Sequence, residues 1–379
     1  MTAPTVSADA TGTPDLLYSE AEEDLRAAVR SLLADRGDVP ALLARAEAGA
    51  PYDQELWRAL SGGIGAAGLL VPERFGGQGA GQREAAVVLE ELGRAVTPAP
   101  YLTGAVVAVQ TLLALGEPAG AVAALLGRIA DGHRVAVLAV PFAVHAPEAV
   151  RPAAVVAGRV EGGVTGVADA TAADVLLVPT TDGLYAVDTD AEGVAVTPLV
   201  SLDLTRPLAD ITLTGAPGTR LADGAAAVDA VRRGLLAGAG LLASEQLGIA
   251  EWCLAEAVRH TRQRHQFNRP VGSFQALKHR MAQLWLDVVS ARAAARNAAD
   301  ALATGSPEAP LAVAVAQAYC SGAAVHAAEE CVQLHGGIGM TWEHPAHLYL
   351  KRAKADAIAY GTAGRHRATV AELMELPAP

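Results

Sequence analysis

The chain is poor in aromatic residues, at 4% of 379. That is too few for the stacked aromatic platforms on which single-stranded nucleic acids lie. It is also poor in charge, at 18%, and the balance is acidic: 29 Lys and Arg against 41 Asp and Glu, a net −12. No Lys/Arg block interrupts that acidity. This argues against nucleic acid and anionic membrane surfaces as partners. A phosphorylated ligand remains open, because one local arginine can hold it. Cysteine is scarce: Cys253, Cys320 and Cys331, with no C-x-x-C pair. A disulfide framework and a zinc site are therefore not expected, the compartment reads as a reducing cytoplasm, and each thiol reads as a small buried hydrophobe. Long apolar runs are missing too. Residues 104–115 are apolar but short and bounded by Gly and Pro, whereas a membrane span needs about 20. The opening Met1-Thr2-Ala3-Pro4-Thr5-Val6-Ser7-Ala8-Asp9 has no basic or apolar region and reads as a polar tail, not a signal peptide.

What is present is a hydrophobic content of 51%, much of it Ala with scattered Leu and Val, a texture that favours tightly packed helices. Residues 1–131 read as a helical domain. Ser19 followed by Glu22 forms a capping-box pattern, and Leu25, Val29 and Leu32-Leu33 recur at helical spacing. Further helices are expected near 53–61, 82–94, 101–115 and 117–131. The glycines of Gly65 to Gly79 permit a tight loop. Residues 132–222 change to short β-like runs at 135–140, 153–156, 175–178 and 184–187, with Gly162-Gly163, Asp182-Gly183 and Glu192-Gly193 read as turns. Strands at that spacing predict a compact barrel or sandwich and not an alternating Rossmann sheet. Residues 223–379 return to helix, expected near 223–258, 275–304, 309–335 and 346–376, a four-helix bundle. The fold class is therefore α+β: an N-terminal helical domain, a middle β-domain and a C-terminal helical bundle.

Four segments carry a resemblance to the acyl-CoA dehydrogenase family over essentially the whole chain. They are Val71-Pro72-Glu73-Arg74-Phe75-Gly76-Gly77-Gln78-Gly79, Glu90-Glu91-Leu92-Gly93-Arg94, Arg264 to Gln275, and Gln333-Leu334-His335-Gly336-Gly337-Ile338-Gly339. The third is similar to the family's R-x-x-F-G-x-P-I-x-x-F-Q segment and the fourth to its Q-x-x-G-G-x-G segment. The resemblance implies FAD as cofactor, an acyl-CoA thioester as substrate, oxidation of its Cα–Cβ bond, and an electron-transfer flavoprotein as acceptor. It also implies that one subunit reaches over its neighbour's FAD, with Arg264, Phe267, Gln275, Gln333, Gly336, Gly337 and Thr362 as the cofactor-binding positions. The residue types suit that task. A guanidinium offers a diphosphate a fork of charged donors, and glycines let backbone N–H groups approach an anionic oxygen. Asn268 stands where the family carries Gly, and Asn tolerates positive φ.

The chain departs from the family at the other half of the site. The family's Glu before Gly-Thr is Tyr360 here, and a tyrosine with an ordinary pKa near 10 is a poor base at neutral pH. The alternative position on the earlier helix falls on Gly238. Glu245, Glu251 and Glu256 lie nearby, with Glu245 the best of the three as a substitute base. The T-E-P-x-x-G-S place reads Ala139-Val140-Pro141-Phe142-Ala143-Val144-His145, and the family's Trp is absent before Asp174. Everything lost belongs to the half that holds the flavin ring and substrate. Everything kept belongs to the half offered to a neighbour. The expectation is a base-lacking subunit of an α2β2 enzyme, similar to those of actinobacterial steroid side-chain degradation, with a homologous partner subunit carrying the Glu. Three alternatives stay open: a homomeric flavoprotein with non-desaturating chemistry, a cofactor-free paralogue, and an ordinary dehydrogenase using Glu245. His335 could orient a ribose or phosphate, and His344 and His347 lack metal-ligand spacing.

Overall fold

The computed structural model describes residues 16–377; the polar tail at the N-terminus lies outside them. Helix α1 (Glu20–Arg36) begins at the expected capping box. Ser19 Oγ accepts the Glu22 N–H at 3.2 Å, and the Ser19 N–H donates to the Glu22 carboxylate at 2.6 Å. Then come α2 (Val39–Glu47), α3 (Gln54–Arg58), α4 (Gln82–Arg94), α5 (Val109–Leu113, preceded by a π-helical Tyr101–Ala108) and α6 (Gly120–Ala130). Eight strands follow: β1 (Ala136–Leu138), β2 (Ala154–Val156), β3 (Arg159–Ala168), β4 (Val175–Thr180), β5 (Gly183–Asp188), β6 (Val194–Pro198), β7 (Leu208–Pro217) and β8 (Thr219–Asp223). Beyond them lie α7 (Gly224–Gln263), a short hairpin of β9 (His265–Gln266) and β10 (Arg269–Pro270), α8 (Gln275–Ala303), α9 (Ala309–His335), α10 (Ala346–Asp356) and α11 (Ala363–Leu373).

The strands form two four-stranded sheets, ordered β1-β4-β5-β8 and β2-β3-β7-β6. Alternation along each strand decides what each face covers. Val137, Leu176 and Val178 point toward Val160, Ile211 and Leu213 of the second sheet and share one core with them. Ala136, Leu138, Val175 and Leu177 point the other way, into the core shared with the helices. The β-domain is thus a sandwich whose first sheet lies on the helical body.

Two local expectations fail. Gly162-Gly163 is no turn: both glycines lie inside β3, opposite Leu213 and Thr212 of β7. The single helix expected over 346–376 is two, because the chain breaks between Asp356 and Ala363, with Tyr360 at φ 51° and Gly361 at φ 107°. A tyrosine held at positive φ cannot continue a right-handed helix. Helix α9 with its following turn is long and apolar enough to cross a membrane, the only such helix among the described residues, at mean hydropathy 1.3; 61% of that window is buried. It packs against α7, α8, α10 and α11, as a core helix does.

Candidate functional site

The break between α10 and α11 brings together the two places where the resemblance looked for a base. Gly238 of α7 faces Tyr360, and a Cβ built on Gly238 would lie 3.1 Å from Tyr360 Cζ and 2.7 Å from Val107 Cγ2. No larger side chain fits there. The Tyr360 N–H donates to the Phe142 carbonyl at 2.9 Å, and the two rings meet edge to face, 5.4 Å between centroids. Phe142 comes from the segment that replaces T-E-P-x-x-G-S. Together with Thr103, Val107, Leu138 and Ala168 these rings leave a cavity of about 10 Å³, at the lower limit for one water. Burial pushes the Tyr360 phenol up from its usual range, Arg206 only partly opposing it. The centre is filled, and its phenol ionises even less readily than a free tyrosine, so it is less available as a base.

Behind Phe142 lies a buried charge network. Arg206, in the loop before β7, stands over the Phe142 ring at 5.4 Å and donates to both Glu245 oxygens at 2.8 and 2.6 Å and to Asp356 at 2.8 Å. Arg352 donates to Asp203 at 2.6 Å, Glu245 at 2.6 Å and Thr205 at 2.7 Å. All five charged side chains are buried. Burial alone would raise the Glu245 pKa, but the two guanidiniums outweigh it and hold the carboxyl below its ordinary range. Glu245 is therefore held as an ion-pair anchor, both oxygens engaged by guanidiniums. Asp356 goes the other way: burial and the neighbouring Glu245 raise it well above its ordinary value, and its Oδ2 has no hydrogen-bond partner. Three carboxylates share two guanidiniums, and Asp356, which accepts only from Arg206, is the least compensated of them. The other two glutamates are also paired: Glu251 accepts from Arg292 at 2.6 Å, and Glu256 accepts from Arg259 through both oxygens.

At the other end of α7 the picture reverses. A groove of about 390 Å³ is lined by Arg264, Gln266, Arg280, Gln333, Gly336 and Gly337, among others. The chain turns into it through a two-residue hairpin, Phe267-Asn268, with φ of 52° and 60°. Positive φ at both central residues marks the turn that matches strand twist, and Asn268 takes it readily; Phe267 adopts it against its steric preference. Gly336 sits at φ 63° and ψ −138°, a conformation open to glycine and closed to other residues. No hydrogen bond or ion pair engages the Arg264 guanidinium among the described residues, whereas Arg280 is held by Glu330 at 2.7 and 2.6 Å.

The structure thus brings Arg264, Gln333, Gly336 and Gly337 to one groove. It does not bring the other three expected residues there. Phe267 is 84% exposed at the hairpin tip. Gln275 is exposed at the start of α8. Thr362 caps α11, accepting the Arg365 N–H at 3.3 Å, beside Gly361 and hence on the filled side of the site. Gln266, His260 and Arg280 line the groove without having been singled out from the sequence; His260 lies one helical turn before Arg264 and Gln266 one hairpin position before Phe267, while Arg280 carried no such signal.

His335 closes α9 beneath the groove floor, its side chain fully buried. With Glu256 and His344 it places three possible metal-ligand atoms within 4.8 Å. The donor chemistry does not suit a metal. His344 Nδ1 accepts the Ala346 N–H at 3.2 Å, so Nε2 carries the ring's proton, and Arg259 already occupies both Glu256 oxygens.

Two family models match the chain: acyl-CoA dehydrogenase, N-terminal domain, over residues 19–133, and acyl-CoA dehydrogenase, C-terminal domain, over 228–375. The chain is 37% identical to acyl-CoA dehydrogenase IpdE2 of Mycolicibacterium smegmatis, covering 90% of this chain and 95% of that protein. Among solved structures it resembles the ChsE4-ChsE5 complex from Mycobacterium tuberculosis, at 30% identity and TM-score 0.84, over 96% of this chain and 100% of the other. It also resembles a steroid ACAD, at 29% identity and TM-score 0.82, over 94% and 98%.

Proposed function

The chain belongs to the acyl-CoA dehydrogenase family, and from that premise we propose that it is the base-lacking subunit of a two-subunit FAD enzyme that oxidises the Cα–Cβ bond of an acyl-CoA thioester. One observation carries this reading: the two halves of the site have opposite fates in one chain. The ring-and-substrate half is filled to about 10 Å³, while the groove half stays open at about 390 Å³ with an unengaged guanidinium. A decayed gene would not preserve one half and pack the other.

The groove fits the diphosphate end of FAD. Arg264 supplies a charged fork, Gln266 and Gln333 supply amide donors, and the Gly336-Gly337 turn exposes backbone N–H groups without a Cβ in the way. When bound, FAD accepts the substrate's hydride. This chain's residues hold and orient the cofactor, and the α-proton is taken by a Glu of the homologous partner. The ChsE4-ChsE5 complex, which pairs two differently named chains, supports the heteromeric reading; the steroid ACAD supports a steroid-bearing acyl-CoA as substrate. An electron-transfer flavoprotein is the acceptor that this reading assigns.

The test is to purify the full chain alone and together with a homologue encoded beside it. Alone it should lack stoichiometric flavin and desaturate no acyl-CoA; together the two should do both. Stoichiometric FAD and turnover by the chain alone would refute the proposal. A second experiment addresses the missing base. Tyr360→Glu should give the isolated chain no desaturase activity, because no substrate enters the filled centre. It should also cost on the order of 3 kcal/mol in a denaturant melt, since a carboxyl there lies against Phe142 and Val107. Activity gained by that single change would mean that the centre opens and that only the base was missing.

A further inference from the structure

The buried imidazole under the groove has a proton requirement that its role in the fold does not explain. His335 Nδ1 lies 2.6 Å from the Cys331 carbonyl, so that nitrogen donates. Its Nε2 faces Glu256 Oε1 at 3.5 Å yet has no hydrogen-bond partner. A neutral ring would point a lone pair at a carboxylate; a protonated ring donates to the Cys331 carbonyl and turns its second N–H toward Glu256 as an ion pair. His335 is also the last residue of α9, where the negative end of the helix dipole favours a positive charge.

The groups around it agree. From α7 it faces Glu256 and His260; from α9, Cys331, whose Sγ is 3.7 Å away; and from the segment before α10, His344; Arg259 lies on Glu256 and Cys253 beside Cys331. The His260 and His344 rings flank it at 4.2 and 4.1 Å between centroids. Burial lowers the pKa of both, and the charge on His335 lowers them further. Burial would lower His335 as well, but its bonds to Cys331 and the nearby Glu256 outweigh that and raise it. Of the three adjacent imidazoles, the middle one is the one whose pKa is raised.

We propose that His335 is a positioning residue: as an imidazolium clamped between the Cys331 carbonyl and Glu256, it ties the end of α9 to α7 and so fixes the Gly336-Gly337 turn opposite Arg264 as one anion-binding groove. This rests on reading the groove as the diphosphate arm. The clamp is complete below an ordinary histidine pKa of about 6.5 and is lost as pH rises through His335's higher folded value. Anion affinity therefore falls with rising pH.

The experiment is ADP binding to the full chain by calorimetry from about pH 6 to about pH 9. Wild type should weaken about tenfold across that range. His335→Gln, which can still donate to Glu256 but carries no charge, should bind about tenfold more weakly at the acid end with a flat profile. Cys331→Ala should keep a fall but move it to lower pH, because the thiol contact that helps raise His335 is gone; a flat profile there together with a wild-type profile in His335→Gln would assign the titration to the thiol and overturn the proposal. Arg264→Ala serves as the control for the groove itself. If Arg264→Ala abolishes binding while His335→Gln matches wild type at every pH, the positioning role is refuted and the groove reading survives. If Arg264→Ala binds as wild type does, or wild type binds no ADP at any pH, the groove reading fails and this inference with it.

Discussion

Glu245→Ala is expected to destabilise the chain by about 3–5 kcal/mol, the usual cost of removing one partner from a buried ion pair. The cause is the pair of guanidiniums left behind. Arg206 and Arg352 both donate to Glu245, and both are buried. Glu245→Gln keeps the shape and one acceptor and should cost less. Asp356→Asn should behave in the opposite sense. The Asp356 pKa is raised in the folded state, so as pH rises above about 3.9, where Asp titrates in the unfolded chain, the unfolded chain gives up its proton more readily than the fold does. That difference works against folding as pH rises from about 4, and an amide removes it. Asp356→Asn should therefore leave stability at neutral pH unchanged or higher. The Glu245 contribution has the reverse dependence: its folded pKa is lowered, so its stabilisation is present above about 4.3 and is lost as pH falls through the lower folded value. Urea melts of the three variants near neutral pH check the ordering. A Glu245→Ala variant as stable as wild type would mean that the two arginines find other partners.

The same network shows where reading the sequence stops. Ser19 with Glu22, and the bounds of α8 and α9 around Gly305-Ser306-Pro307, are legible because the signals are local: a cap, an apolar period, a breaker. The absence of Glu at Tyr360 and Gly238 is legible for the same reason, a residue read at a place. Arg206 is invisible, because its meaning lies in Glu245 and Asp356, 39 and 150 residues away. Strand β3 is hidden because Gly162-Gly163 looks like a turn and only pairing with β7 makes it strand. The filling of the centre is hidden for a related reason. Phe142 reads as a lost flavin contact, and only the fold turns that loss into a plug against Tyr360.

Arg264→Ala, in the complex of this chain with its homologous partner, is expected to weaken FAD binding by about 10- to 150-fold. That range corresponds to about 1.5–3 kcal/mol for a hydrogen-bonded charged group. The fold itself should be indifferent to the change, because the Arg264 guanidinium has no hydrogen bond or ion pair among the described residues and only its backbone is used, donating to the His260 carbonyl and accepting from Val271 at 2.8 Å each. A residue whose side chain does nothing for its own chain and faces an open polar groove is placed for something that enters it. Arg280 supplies the contrast. It lines the same groove, but Glu330 already takes two of its donors, so Arg280→Ala should cost the cofactor less and the fold more. Thermal melts of the cofactor-free variants, set beside FAD titrations of the complex, separate the two effects. If Arg264→Ala lowers stability without FAD and leaves FAD affinity intact, the guanidinium serves the fold, and the division of labour proposed for the two subunits loses its anchor on this chain.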